Sequence, residues 1–201
     1  MRISLTDAGK RYNREWIFRH FDQEFQTGHS YAITGPNGSG KSTLLQVIAG
    51  STALSEGNMV MENVKDEEHY QNIAIVAPYL ELIEEMSGHE FLEFHSGFKP
   101  FGNNMNAMEV LERVQMSHAA NKQIRYYSSG MKQRLKLAQC IISQSKFVLL
   151  DEPCTNLDET GIALYHSLIE EYSSDRCVIV SSNDKVEYTF CENKIDILKY
   201  K

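Results

Sequence analysis

The sequence predicts an α/β fold on an open, mainly parallel sheet, and three observations predict it. Short apolar runs alternate with segments whose apolar residues recur at helical spacing. Two runs, Phe147–Leu150 and Cys177–Val180, are uninterrupted, as expected of parallel strands covered on both faces. A third, Tyr31–Thr34, stops at a glycine-rich turn and gives way at once to a helical segment, the order of a parallel crossover.

Each element follows from its local pattern. Ile3 and Leu5 alternate with polar residues, which suits a half-buried strand, and Ile17, Phe18, Phe21 and Phe25 mark a second strand region. Thr43–Ala49 reads as a helix with Gly50 as its C-cap. Ile73–Val76 is a strand ended by Pro78. Between Leu80 and Met116, Phe91, Phe94, Met108, Leu111 and Val114 recur at helical spacing and predict a mostly helical insert. Gly130–Ser143 is a helix with Leu135, Ala138, Ile141 and Ile142 on one face. Glu159–Tyr172 is another, with Leu164, Leu168 and Ile169 inward, and Ile195–Leu198 closes the chain. With no repeat, low-complexity tract or linker, residues 1–201 read as one domain with a helical subdomain over roughly 80–146.

Composition narrows the function. An apolar share of 42 % supports a core, and 23 % charged residues is ordinary for a folded chain. Twenty basic against 27 acidic residues, net charge −7, argues against a nucleic-acid binder, which needs a basic face. No stretch approaches the roughly 20 apolar residues that span a bilayer, and Met1–Lys10 has no apolar signal region. The expected location is the cytosol, unless a partner holds the chain at a membrane. Cys140, Cys154, Cys177 and Cys191 are widely spaced, which favours reduced thiols over a metal site or disulfide framework.

Gly35-Pro36-Asn37-Gly38-Ser39-Gly40-Lys41-Ser42-Thr43 matches G-x-x-x-x-G-K-[ST] between a strand and a helix, the context the motif requires. The glycines let successive N–H groups converge as an anion nest, and the helix beginning near Lys41 adds the positive end of its dipole. Lys41 can reach the β- and γ-phosphates of a nucleotide as a point charge, and Ser42 can offer its hydroxyl to Mg²⁺. The strand Phe147–Leu150 ends in Asp151 and Glu152, 110 positions after Lys41. Asp151 can hold Mg²⁺. Glu152, expected on the opposite side of the strand end, can polarise an attacking water as general base.

Together with Ser128-Ser129-Gly130-Met131-Lys132-Gln133-Arg134, these motifs resemble the ATP-binding cassette (ABC) family. The family's L-S-G-G-Q signature stands here as Tyr127-Ser128-Ser129-Gly130-Met131, and Thr155-Asn156-Leu157-Asp158 is similar to its dimer-contact loop. Order and spacing agree from about Tyr12 to Asn183. The resemblance implies a P-loop NTPase fold with a mainly parallel sheet, an N-terminal antiparallel β region and a helical signature subdomain. It implies that Ser128, Ser129 and Gly130 form a second anion site that meets the γ-phosphate held by another protomer. ATP is then sandwiched in a homodimer or paired cassette. An ordinary N-cap is the competing role for Ser128. The family's adenine-stacking aromatic corresponds to Tyr12, 23 positions before Gly35, with Trp16 as rival and plain packing as the alternative for both.

Two positions depart from the family pattern. Where the family has Gln after a strand, this chain has Pro78, which has neither a side-chain acceptor nor an N–H; Glu81 or the backbone would have to substitute. Where the family has His, this chain has Asn183, which can hydrogen-bond a γ-phosphate but carries no charge. Asn183 could instead cap a helix starting near Asp184. Both departures predict slow hydrolysis.

The resemblance implies an ATPase subunit working with a transmembrane permease on a separate chain, peripheral on the cytosolic face of the membrane. The Gly130–Arg134 variant resembles exporter-type cassettes. Leu80, Leu82, Ile83 and Met86, interleaved with Glu81, Glu84 and Glu85, would line a groove for the permease or simply belong to the insert's core. Only 18 residues follow Asn183, too few for a regulatory domain. The alternatives are a non-transport ATP switch and a degenerate cassette that binds ATP with little turnover.

Overall fold

Most strands and helices form where the apolar pattern puts them, but the strand Glu56–Met61 is not among those the pattern predicts. The computed structural model describes residues 1–65 and 68–201. The chain falls into two compact units, one of Met1–Ile75, Lys146–Glu152 and Asp175–Lys201, the other of Val76–Ser145 and Pro153–Ser174. The strands are β1 (Arg2–Tyr12), β2 (Glu15–Gln26), β3 (Ser30–Thr34), β4 (Glu56–Met61), β5 (Ile73–Val76), β6 (Phe147–Asp151), β7 (Cys177–Ser181) and β8 (Asn193–Asp196). The helices are α1 (Lys41–Ile48), the single turn α2 (His69–Asn72), α3 (Gly88–Ser96), α4 (Ala107–Arg113), α5 (Ser129–Ile141) and α6 (Glu159–Tyr172).

In the first unit, β1 pairs antiparallel with both β2 and β4. The alternation of Ile3 and Leu5 serves this sheet: both are buried, as are Phe18, Phe21 and Phe25 from β2. The second sheet has the order β5-β6-β7-β3-β8, and its β6–β7, β3–β7 and β3–β8 pairs are parallel. Leu44, Leu45 and Ile48 of α1 join Phe147, Leu149 and Ile179 in one core. Each such side chain stabilises by about 1.5–3 kcal/mol relative to exposure. Register aligns the carboxyl ends of three strands: Ser181 lies opposite both Ile33 and Asp151. The loops after β3, β6 and β7 therefore emerge side by side, where ligands bind in open α/β sheets.

The second unit is helical. α3, α4 and α5 pack together, and α5 packs on α6. Their starts are set by side chains. Ser87 and Glu90 form a capping box on α3, Asn106 and Glu109 another on α4, and Asp158 caps α6. Leu135, Ala138, Ile141 and Ile142 are fully buried, as their spacing predicts.

Three local expectations are corrected. The mostly helical insert does not begin at Leu80: residues 80–87 are irregular up to the cap of α3. There the carbonyls of Glu84 and Met86 accept from the N–H groups of Arg125 and Ile124, 3.1 and 2.9 Å away, instead of from their own segment. The C-cap of α1 is Ala49, and Gly50 follows it in the left-handed conformation, φ 73°. Asp184, not Asn183, caps the short 3-10 turn Lys185–Tyr188, accepting from Val186 N–H at 3.0 Å.

Candidate functional site

The loop from Gly35 to Gly40 joins β3 to α1 in a conformation that needs its glycines. Gly35, Gly38 and Gly40 have φ of 148°, 76° and 100°. A Cβ at Gly35 would meet Ser39 Oγ and Ile197 Cγ2 at 2.8 Å, while one at Gly38 would meet nothing within 4 Å. Gly40 is the N-cap of α1, and no side chain caps the helix, so its first N–H groups face the loop's concavity. Residues 37–43, with Ile17 and Glu152, line a cavity of about 230 Å³.

Lys41 is 5 % exposed, and its Nζ donates to the carbonyls of Gly35 at 2.8 Å and Pro36 at 3.3 Å. Its charge is thus stationed over the nest rather than in solvent. Ser39 is 4 % exposed, and its Oγ has no hydrogen-bond partner among the described residues. A buried hydroxyl left over inside a nest of N–H groups suits a polyanionic ligand.

Asp151 ends β6 with 2 % exposure, and its Oδ1 accepts from Ser181 Oγ at 2.7 Å. Ser42, half-buried in the first turn of α1, and Asp151 are hard oxygen donors of the kind Mg²⁺ takes. Glu152 leaves the strand with φ 45°, a left-handed conformation that costs a non-glycine residue roughly 1–2 kcal/mol. Its N–H donates to Ser181 O at 3.0 Å, and its side chain lines the loop cavity. Sequence reading missed Ser181 and Ile17. Ser181 is placed by the pairing of β7 with β6, and Ile17 by packing of β2 against the loop at Gly40, and no local pattern in the chain shows either.

Asn183 follows β7 and donates from Nδ2 to Asn37 Oδ1 at 2.9 Å. Tyr12 ends β1, 46 % exposed, with Lys10 Nζ 4.9 Å from its ring centroid. Trp16, the rival, has the guanidinium groups of Arg11 and Arg19 over its ring at 5.5 and 4.5 Å. Neither aromatic lines the loop cavity.

In the second unit, Ser128 is the N-cap of α5, accepting from Met131 N–H at 3.2 Å. The same residue, with Ser129 and Gly130, lines a separate cavity of about 360 Å³ that also includes Arg134 and Asn156–Asp158. Gly130 sits close to the last of these segments, since a Cβ there would meet Asn156 O at 3.2 Å. Arg134 holds the segment: its Nη2 donates to Thr160 Oγ1 at 2.9 Å and Asp158 Oδ1 at 3.4 Å, and its Nη1 to Gln115 Oε1 at 3.3 Å. The N–H of Gly161 and the hydroxyl of Thr160, with Arg134 beside them, hold the Asp158 carboxyl below its usual range.

Pro78 lies in an exposed turn. The carbonyl of Ala77 before it accepts from Leu80 N–H at 3.2 Å and Lys136 Nζ at 3.4 Å. Burial draws the Lys136 ammonium below its usual range. Pro78, Leu80, Glu81, Leu82, Glu84 and Glu85 line a groove of about 460 Å³ with Lys132 and Lys136. Ile83 and Met86 do not line it. Ile83 is exposed at the surface.

The family model for the ABC transporter matches residues 18–155. The uncharacterized ABC transporter ATP-binding protein YybJ of Bacillus subtilis is 26 % identical over 187 residues, covering 91 % of this chain and 86 % of that protein. A second from that organism, YxlF, is 32 % identical over 184 residues, 90 % of this chain and 62 % of that protein. The lantibiotic transport ATP-binding protein SrtF of Streptococcus pyogenes is 25 % identical over 182 residues, 90 % and 79 % of the two chains. Among solved structures, a putative ABC transporter ATP-binding protein from Pyrococcus furiosus superposes over 100 % of both chains, TM-score 0.83, at 20 % identity. A dimeric post-hydrolysis ATP-binding cassette bound to ADP and Pi matches 97 % of this chain and 94 % of that one, TM-score 0.82, at 23 % identity. These two likenesses establish the fold.

Proposed function

We infer the function from one premise: the chain belongs to the ABC transporter family and is an ATP-binding, ATP-hydrolysing subunit of that kind. We propose that two such cassettes close on ATP and Mg²⁺ and thereby drive a transmembrane permease carried on a separate chain, with export as the direction. The chain would then sit on the cytosolic face of the membrane through its permease. No helix among the described residues is long and apolar enough to cross a membrane. The observation that carries the reading is the single cavity in which the phosphate loop, Lys41 and Glu152 meet.

The roles follow from the chemistry of each group. Lys41 exchanges the Gly35 and Pro36 carbonyls for phosphoryl oxygens, and the N–H groups from Gly38 to Thr43 cradle the β-phosphate. Ser42 and Asp151 would hold Mg²⁺, which when bound neutralises charge on the β- and γ-oxygens. Glu152 takes a proton from the water that attacks the γ-phosphorus as the bond to the bridging oxygen breaks. Tyr12, the more exposed of the two aromatics, offers a face to adenine. Ser128, Ser129 and Gly130 present the capped start of α5 to the γ-phosphate on a partner cassette.

Dimerisation finds support in the dimeric ADP- and Pi-bound cassette of the same fold, and permease coupling in the transport function named for SrtF. The groove over Leu80 and Leu82, rimmed by Glu81, Glu84 and Glu85, is the surface offered to a cytosolic helix of the permease. A cassette of low turnover is the second reading, favoured by Pro78 and Asn183 at the two positions that depart from the family.

The variant Glu152→Gln tests the proposal, because the amide keeps the shape of Glu152 and loses the proton acceptor. Incubated with ATP and Mg²⁺, it is expected to bind nucleotide, fail to hydrolyse it, and elute as a dimer on size exclusion. Hydrolysis at the wild-type rate would remove Glu152 as the base. A nucleotide-bound monomer would remove the closed pair.

A further inference from the structure

Asn37 and Asn183 are 146 positions apart, yet strand order brings them together. Asn37 lies in the loop after β3, Asn183 in the turn after β7, and β3 and β7 are parallel neighbours. That turn is tightly held. Ser182 N–H donates to Ile33 O at 3.2 Å, so the base of the turn is fixed to the strand that leads into the phosphate loop. Ser182 Oγ accepts from Asp184 N–H at 2.9 Å, and Asp184 caps the residues that follow. Between these anchors Asn183 donates from Nδ2 to Asn37 Oδ1 at 2.9 Å.

A carboxamide has one acceptor end and one donor end. Asn183 engages the acceptor end of Asn37, which leaves the NH₂ end free. Asn37 also lines the cavity shared by Lys41 and Glu152. We propose that Asn183 is a positioning residue that acts through Asn37, turning that carboxamide so that its NH₂ group, and not its oxygen, meets a phosphoryl oxygen of bound nucleotide. This rests on the reading of the cavity as the ATP site, and it replaces a direct contact from Asn183 to the γ-phosphate by a relayed one. An amide pair does not titrate near neutral pH, so the relay works equally across the range in which an imidazole at 183 would change charge.

A double-mutant cycle on ATP turnover tests it, with Asn37→Ala, Asn183→Ala and the double variant compared at matched folded fraction, checked by melting temperature. A hydrogen bond to a charged group is lost in each single variant, so each is expected to lose about tenfold in kcat/KM. The double variant is expected to lose the same tenfold, because both substitutions remove one relay. Asn183→Asp keeps the shape but only accepts. It should turn Asn37 round, present its oxygen to the phosphate, and lose more activity than Asn183→Ala. Both side chains are exposed, so the fold should persist; the same cycle built with Ser, too short to bridge and uncharged, at both positions serves if an Ala variant unfolds. Losses that multiply to about a hundredfold, or a single variant at the wild-type rate, overturn the proposal. Lys41→Ala run alongside separates the two levels. Wild-type turnover in that variant removes the ATP-site reading itself, whereas its collapse with multiplying Asn losses removes only the relay.

Discussion

Lys41 is the first residue of α1, directly after the glycine loop. Its ammonium is buried and bonded to two carbonyls of its own loop, so the charge is in place where a transferring phosphoryl group would sit. Removing one pre-set electrostatic stabiliser lowers turnover by roughly 10²–10³-fold. Lys41→Ala is therefore expected to lose about that much in steady-state ATPase assays, and a variant that still hydrolyses normally would end the assignment. The residue types at Lys41, Ser42, Asp151 and Glu152 were legible because spacing alone relates them to a strand end or a helix start. The partners of Asp151 and Asn183 were not. Ser181 and Asn37 reach them only through the β3–β7–β6 order, which no local pattern in the chain encodes. The left-handed φ of Glu152 was equally hidden, since a glutamate carries no local preference for it.

At the scale of elements, periodicity and capping chemistry made most helices readable. α6 runs over Glu159–Tyr172 as its apolar spacing requires, and α5 starts one residue before the predicted Gly130. The failure at Leu80–Ser87 has a physical cause. That stretch has an apolar and acidic composition compatible with a helix, but two of its carbonyls are taken by Ile124 and Arg125, and a long-range pairing of this kind outweighs propensity. The start of α1 makes a sharper test. Gly40 caps it at φ 100°, and a Cβ there would collide with Ile17 Cγ2. Gly40→Ala is expected to cost roughly 1–2 kcal/mol for the backbone conformation alone. In a chain of this size that lowers the melting temperature by several degrees. Nucleotide binding should weaken with it, since the nest loses its shape. Adding Ile17→Ala should recover the steric part of the loss and leave the backbone part. Full recovery would mean that the left-handed cap is not needed.

At the scale of the whole molecule, stability should depend on pH through His95. Burial, with Lys99 nearby, holds its imidazole down to about 4, against the opposing pull of the Gln139 carbonyl. The unfolded chain binds that proton near its ordinary value of about 6.5. As pH falls from about 6.5 to about 4, the unfolded state is protonated and the folded state is not. His95 therefore removes stability progressively across that window and removes no more below it. Melting temperatures of the wild type and His95→Phe at pH 7.5 and 4.5 check this: the wild type should lose more on acidification, and equal losses would exclude His95 as the cause. The order of strands has a consequence of its own. β3 carries the phosphate loop, yet both its sheet neighbours, β7 and β8, begin more than 140 positions later in the chain. On the ribosome the loop is made early and waits, with no strand to lie against, until Cys177–Asp196 have emerged. ATP can therefore reward folding only after Asp196 has been made, and until then the chain depends on whatever shields β3 from pairing with the wrong edge.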